Sequence, residues 1–241
     1  MGRMFEKRKH TMFARFDRMA KQFARIGKDI TIAVRAGGPD PDGNPMLRRV
    51  IQNGRAVNMP KEKIDAAIKR AVGRDATDYE ELRYEGYGPH GIALIIEAAT
   101  DNPVRTVANL RTHFNRGGGA LGTDGSVTYL FQHVGVFTLP AAAVPDADEL
   151  ELDLIDAGLE EMGTSETDDG DAVVVLRCAF TDFGNLQSAL EARGLEPLTS
   201  GAEWVPLAET DLDEEAAADA LKLIERLEGD DDVQAVFHTL A

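Results

Sequence analysis

Between residues 12 and 33, apolar side chains return at alternating spacings of four and three: Met12, Phe16, Met19, Phe23, Ile26, Ile30 and Ala33. At about 100° per residue these positions form one stripe of a helix, while Arg18, Lys21, Arg25, Lys28 and Arg35 cluster on the opposite side. Such a segment has one face that must pack and one that is a cationic ridge. The three-four spacing suits packing against neighbouring helices. A helix lying on a membrane surface would show the same two faces.

Charge is sorted along the chain. Residues 1–74 hold 18 Lys and Arg against 7 Asp and Glu, a net of +11, whereas residues 75–241 hold 8 against 35, a net of −27. No Lys or Arg occurs between Arg116 and Arg177. This asymmetry marks a basic module that meets polyanions, joined to a part that does not. A merely solvated surface is the plainer alternative. The membrane alternative loses ground, because an acidic remainder is repelled by anionic lipid.

The basic part continues as helices. Gly37 and Gly38 stop the first, Asn44 is an N-cap with Pro45 at the first helical position, and Leu47, Val50, Ile51 and Val57 give residues 45–57 a buried side. Asn58, Met59 and Pro60 turn the chain into a third helix over residues 60–72, with Ile64, Ala67, Ile68 and Ala71 inward and Gly73 at its end. Residues 1–74 therefore read as a small helical bundle.

Beyond it, strands and helices alternate. LRYEGYG and GIALIIEAA form a hairpin across Pro89, DNPVRTVANLRTHFNRGG is a capped helix, and SVTYLFQ is a returning strand. A second series follows, with GVFTL, AVVVLRCAF and GAEWVPL as strands and DADELELDLIDAG and DFGNLQSALEARG as helices. DLDEEAAADALKLIERLEG and VQAVFHTL close the chain as helix and strand. The pattern is that of α+β or α/β sandwiches.

Most chemical signatures fail on inspection. GGGALG matches a dinucleotide fingerprint at Gly117, Gly119 and Gly122, but a helix precedes it and a strand follows, so no helix start presents amides to a pyrophosphate. Residues 117–126 read instead as a turn, with Gly122 and Gly125 at positive φ and Asp124 capping locally. Gly117, Gly118, Gly119, Gly122, Thr123, Asp124, Gly125 and Ser126 are kept as a candidate contact loop. The five histidines stand far apart, and no spacing suits a metal; neither a metal nor a cofactor is expected. The single cysteine, Cys178, reads as a small buried hydrophobe, which fits a reducing cytoplasm. No apolar run reaches the ~18 residues of a membrane span, and Glu6 and Asp17 argue against a presequence. Catalysis is not supported.

What remains is the cationic bundle. A DNA-reading helix-turn-helix would put bidentate side chains on its second helix, yet residues 60–72 offer Lys61, Lys63, Lys69 and Arg70, chiefly point charges suited to phosphate. Backbone or shape recognition, as on structured RNA, is the stronger expectation. The expected phosphate contacts are led by Lys7, Arg8, Lys9, Arg18, Lys21, Arg25 and Lys28, with Arg15, Arg35, Arg48, Arg49, Arg55, Lys61, Lys63, Lys69 and Arg70 alongside.

NPMLRRVIQNGRAVNMPKEKIDAAIKRA, RYEGYGPHGIALIIEAATDNPVRTVANLRTHFNRGGGALGTDGSVTYLF and the acidic final helix together resemble the YebC family, which includes the mitochondrial translational activator of cytochrome oxidase. The resemblance covers essentially the whole chain. It implies an α+β multidomain protein: an N-terminal helical bundle (1–74), a discontinuous middle α+β domain (75–133 plus 206–241), and a ferredoxin-like α/β sandwich inserted at 134–205. Many members begin with Gly-His-Ser-Lys-Trp, whereas this chain has Gly2, Arg3, Met4, Phe5 and Glu6, so a role of that tryptophan does not transfer. Family members are labelled as promoter-binding transcriptional regulators or as ribosome-associated factors that help translation through proline runs. The resemblance therefore implies a ribosome- or rRNA-bound translation factor, or a DNA-binding regulator. An adaptor that docks basic proteins on its acidic domains is a third reading.

Overall fold

A computed structural model describes residues 3–74, 76–167 and 170–241, with side chains from Arg18 onward. By contact density the chain divides into two compact units, one running up to Glu80 and including Ala99–Asp101, the other formed by Glu81–Ala98 and Asn102–Ala241.

The first unit is built from α1 (Arg3–Gly37), α2 (Pro45–Ala56) and α3 (Lys61–Val72). Its core joins Ile26, Ile30, Ala33 and Val34 of α1 to Leu47, Val50 and Ile51 of α2 and to Ile64, Ala67 and Ala71 of α3, with Phe23, Val57 and Ile68 partly covered at its edge. The apolar stripe thus buries its second half as its spacing requires; Met12 and Phe16 lie outside the residues whose side chains are described. Gly38, at φ 88°, ends α1 in the left-handed conformation, its N–H donating to the Val34 carbonyl at 2.8 Å. Asn44 caps α2 through Oδ1, which accepts from the Leu47 N–H at 3.0 Å. Its Nδ2 donates to the Ala33 and Gly38 carbonyls at 2.7 and 2.9 Å, so one buried side chain ties the end of α1 to the start of α2.

The second unit contains two four-stranded sheets. In the first, β3 (Ala120–Leu121), β1 (Glu80–Tyr87), β2 (Ala93–Thr100) and β8 (Val233–His238) lie in that order. Helices α4 (Pro103–Arg116) and α7 (Glu214–Glu228) bring Leu110, Phe114, Leu223, Ile224 and Leu227 against Ile92, Leu94 and Ile96. SVTYLFQ does not return as a strand of this sheet: Thr128–Leu130 is a 3₁₀ turn, and the strand that follows, β4 (Phe131–Pro140), belongs to the other sheet. On the side of β1 away from β2 lies the two-residue β3, paired through Gly86 with Leu121 and Tyr87 with Ala120. Close packing made this possible, since a Cβ on Gly86 would stand 2.7 Å from both the Ala120 carbonyl oxygen and the Phe114 ring.

The second sheet runs β5 (Leu159–Glu166), β6 (Ala172–Ala179), β4 and β7 (Thr199–Pro206), all antiparallel. With α5 (Ala147–Ile155) and α6 (Phe183–Ala192), the chain order is βαββαβ and the sheet order 2-3-1-4, which is the ferredoxin-like arrangement. The edge strand β5 has no sequence signal: Leu159 is its one buried residue and most of the rest face solvent, so the alternation that reveals a half-buried strand is missing. Cys178 is fully buried in this sheet's core, and burial pushes its thiol up to about 11.

Between the sheets, Trp204 joins Ala93, Ile95, Val127 and Phe131. His133 is stacked between Trp204 and Phe180 at 4.1 and 4.0 Å, and the Arg83 guanidinium lies 5.1 Å from the Trp204 ring. Burial, with Arg83 nearby, holds the His133 imidazole below its ordinary pKa. Trp204 Nε1 donates to the half-buried Glu97 carboxylate at 2.9 Å, and there burial prevails and raises the acid.

Candidate nucleic-acid interface

The cationic ridge is carried by α1. Arg18 and Arg35 are exposed, and Lys21, Arg25 and Lys28 are half-buried on the same side of the helix. From Arg18 to Lys28 the ridge rises about 15 Å at 1.5 Å per residue. The side chains of Lys7, Arg8, Lys9 and Arg15 lie outside the described residues.

The end of the ridge has protein neighbours that periodicity could not reveal. Lys28 Nζ donates to the Ala99 carbonyl at 2.8 Å and stands 5.3 Å from the centre of the Tyr79 ring, and Arg35 Nη2 donates to the Ala76 carbonyl at 2.7 Å. These residues of the same unit orient the two cations.

Helix α3 presents Lys61, Lys63, Lys69 and Arg70 to solvent, interspersed with exposed Glu62 and Asp65. Arg48 and Arg49 of α2 are half-buried, Arg48 leaning on the Pro41 carbonyl at 3.4 Å, and Arg55 is exposed. Arg55, Lys61 and Lys69, with the exposed Asp65, line a groove of 390 Å³ together with Ile51, Ile64 and Ile68. Of the expected contacts, the structure therefore brings Arg55, Lys61 and Lys69 together, and sets Arg18, Lys21, Arg25 and Lys28 in a row.

In the second unit, the candidate loop is a built structure rather than a slack connection. Gly117 N–H closes the last turn of α4 on the His113 and Phe114 carbonyls, and Gly119 N–H donates to Phe114 at 2.9 Å, with Gly118 between them at φ 73°. A side chain on Gly119 would run into the Tyr87 carbonyl oxygen. Gly125 has the expected positive φ, 81°; Gly122 does not, and is glycine because a Cβ there would collide with Ser126 Oγ. Asp124 does not cap the turn. It is exposed and accepts from Arg83 Nη2 at 3.1 Å.

The cap comes from Glu85, 40 residues earlier. Its carboxylate, only 2% exposed, accepts from the N–H groups of Gly125, Val127 and Thr128 at 2.9, 2.7 and 3.0 Å and from the Thr128 hydroxyl. Burial alone would raise this acid; the Thr128 hydroxyl and the three backbone donors outweigh it and bring the pKa down from 4.5 to about 2. Tyr87 Oη donates to the Ser126 carbonyl at 2.9 Å, and Tyr129 beside it is exposed. The residues left at the surface of the loop are Gly118, Gly122, Thr123, Asp124 and Gly125.

Among the described residues, no group of three or more His, Cys, Asp or Glu is arranged to hold a metal, and no helix is long and apolar enough to cross a membrane.

Comparison with known proteins fits this anatomy. Residues 3–74 match the model of the TACO1/YebC N-terminal domain, and residues 79–240 match that of the TACO1/YebC second and third domains. The chain belongs to the TACO1/YebC family. Relatives within the family include a probable transcriptional regulatory protein of Myxococcus xanthus, 59% identical over the full length of both chains, and one of Flavobacterium psychrophilum, 50% identical over all of this chain and 99% of that one. The fold is also similar to the crystal structure of a conserved hypothetical protein from Aquifex aeolicus, with 34% identity, a TM-score of 0.75, and 92% of this chain and 90% of that one covered.

Sequence reasoning missed the residues that shape this loop: Glu85, Arg83, Tyr87 and Tyr129. The one available signal was a carboxylate inside an otherwise strand-like YEGYG segment, and its partners lie too far along the chain for any local pattern to find.

Proposed function

We propose that this protein is a non-enzymatic, cytoplasmic regulator of gene expression that grips ribosomal RNA with its basic helical unit and helps elongation through stall-prone sequences such as proline runs. The observation that carries this reading is the kind of cation on offer. Arg18, Lys21, Arg25 and Lys28 form a row on one helix, and the exposed cations of α3 are mostly lysines. A row of charges follows a phosphate backbone, while lysines in place of paired Arg, Asn or Gln give little purchase on base edges. The acidic second unit, repelled by RNA, limits binding to the basic unit and leaves surfaces for protein contacts.

A second reading has its own support. Relatives are named probable transcriptional regulatory proteins, so action on promoter DNA is the alternative. It requires a large preference for one duplex sequence over random duplex at physiological salt, because charge-driven binding alone falls steeply as salt rises. An adaptor that docks basic proteins through its acidic surface is the third.

Replacing Arg18→Glu together with Arg25→Glu separates the adaptor from the two nucleic-acid readings, both of which require loss of function. For the translation factor we expect co-sedimentation with ribosomal particles to be lost and ribosome profiles to show the pauses of a deletion strain. A double variant that still sediments with ribosomes and restores normal profiles would overturn the phosphate-grip reading in favour of the adaptor.

A further inference from the structure

A second cavity in the first unit has a composition that the cationic ridge does not explain. It measures 510 Å³ and lies between α1, α3 and residues 76–79, all of them within that unit. Much of its lining is small side chains, among them Ala24 and Gly27 of α1 and Ala67 of α3, which leave room between the larger ones. Two half-buried aromatic rings, Phe23 and Tyr79, stand in its wall, and Lys28, Lys63 and Arg70 complete the lining. No acidic residue occurs among the described residues that line it.

Aromatic faces and cations are paired here. Lys63 Nζ stands 4.7 Å from the centre of the Phe23 ring, and Lys28 Nζ 5.3 Å from that of Tyr79. Each ammonium is thus held beside a flat π surface and close to a cavity of the size that takes small organic ligands. A flat heteroaromatic group with a phosphate attached satisfies both features at once: the ring stacks on the aromatic side chain, and the phosphate takes the ammonium and guanidinium donors. An apolar helix offers no charge to the three cations, and an acidic peptide offers no flat surface to the rings.

We propose that this cavity receives one unpaired nucleotide of an RNA strand, its base stacked on Tyr79 or Phe23 and its phosphate held by Lys63 and Arg70. The inference rests on the RNA-binding reading and deepens it: the basic unit selects strands that can turn a base outward, at bulges, loops or single-stranded stretches, over continuous duplex. Base stacking on aromatic side chains is tolerant of sequence. The site therefore adds a preference for RNA form without adding a preference for sequence.

The test measures binding of the full chain to a 12-nucleotide single-stranded RNA and to the duplex of the same sequence, by fluorescence anisotropy across a salt series. A 2-aminopurine base in the single strand reports stacking directly, by quenching. We expect tighter binding of the single strand and quenching on binding. Tyr79→Ala should weaken single-strand binding about tenfold, leave duplex binding and the salt dependence unchanged, and be rescued by Tyr79→Phe. Lys63→Gln should instead lower the slope of log K against log salt by about 0.7, the value for one phosphate contact on a single strand. If wild type binds RNA but prefers duplex, shows no quenching, or is indifferent to Tyr79→Ala, the nucleotide site is wrong while the ridge reading stands. Displacement of the oligonucleotide by adenosine monophosphate at equal concentration would assign the cavity to a free nucleotide and overturn the strand. Wild type that binds neither RNA removes both readings.

Discussion

Glu85 offers the sharpest test of how the loop over residues 122–128 is held. Its carboxylate is buried and accepts four hydrogen bonds, and its pKa falls from 4.5 to about 2. Because the folded-state value lies below the unfolded one, the associated stability is fully present above pH 4.5 and is lost as pH falls toward 2. At about 1.36 kcal/mol per pH unit the whole effect is about 3 kcal/mol, of which about 1.4 kcal/mol is gone between pH 6 and pH 3.5. Glu85→Gln removes this titration. The amide nitrogen can face the Thr128 hydroxyl, which rotates to accept, but the Gly125 N–H then points at a donor and is left unpaired, so the variant should lose about 2–3 kcal/mol at pH 7. Urea unfolding followed by Trp204, the chain's single tryptophan and a core residue of the same unit, measures both quantities. Amide exchange at Gly125 should accelerate in parallel. An identical fall in stability from pH 6 to pH 3.5 in wild type and variant, or a loss under about 1 kcal/mol at pH 7, would refute the argument that this carboxylate clamps the loop.

Other expectations concern single positions. Asn44→Ala removes an N-cap and the donor to two carbonyls, and should cost about 2–3 kcal/mol, read as a lower melting temperature of the helical unit by circular dichroism. Gly86→Ala places a methyl group 2.7 Å from the Ala120 carbonyl oxygen and the Phe114 ring. It should destabilise the second unit by about 1–3 kcal/mol in the same urea assay, with neutrality counting against the close β1–β3 approach. Cys178, buried and with its thiol pushed up to about 11, should resist aromatic disulfide reagents at pH 8 until denaturant is added. Rapid labelling of the native protein would contradict that burial.

Local signals carried a large part of this protein. Periodicity along α1 determined which half of the helix is buried, since side chains three and four residues apart share a face whatever surrounds them. Asn44 with Pro45 marked the start of α2, because a cap is a bond between neighbours in the chain, and Asn44 accepts as expected at 3.0 Å; the capped helix read over DNPVRTVANLRTHFNRGG takes its cap from Asn102, at 3.1 Å. Charge segregation is likewise a property of the sequence alone. Tertiary structure decided whatever depends on partners distant along the chain. Glu85 meets its donors across 40 to 43 residues, the 3₁₀ turn at Thr128 replaces a strand because those donors face it, and β5 is a strand because β6 is beside it, not because its own side chains alternate. The residues that orient Lys28 and Arg35, and the meeting of Phe23 with Tyr79 around one cavity, belong to the same class. A chain records its local conformational preferences in adjacent residues, but the closing of a long loop is set by the summed packing of both ends, and no short stretch contains that sum.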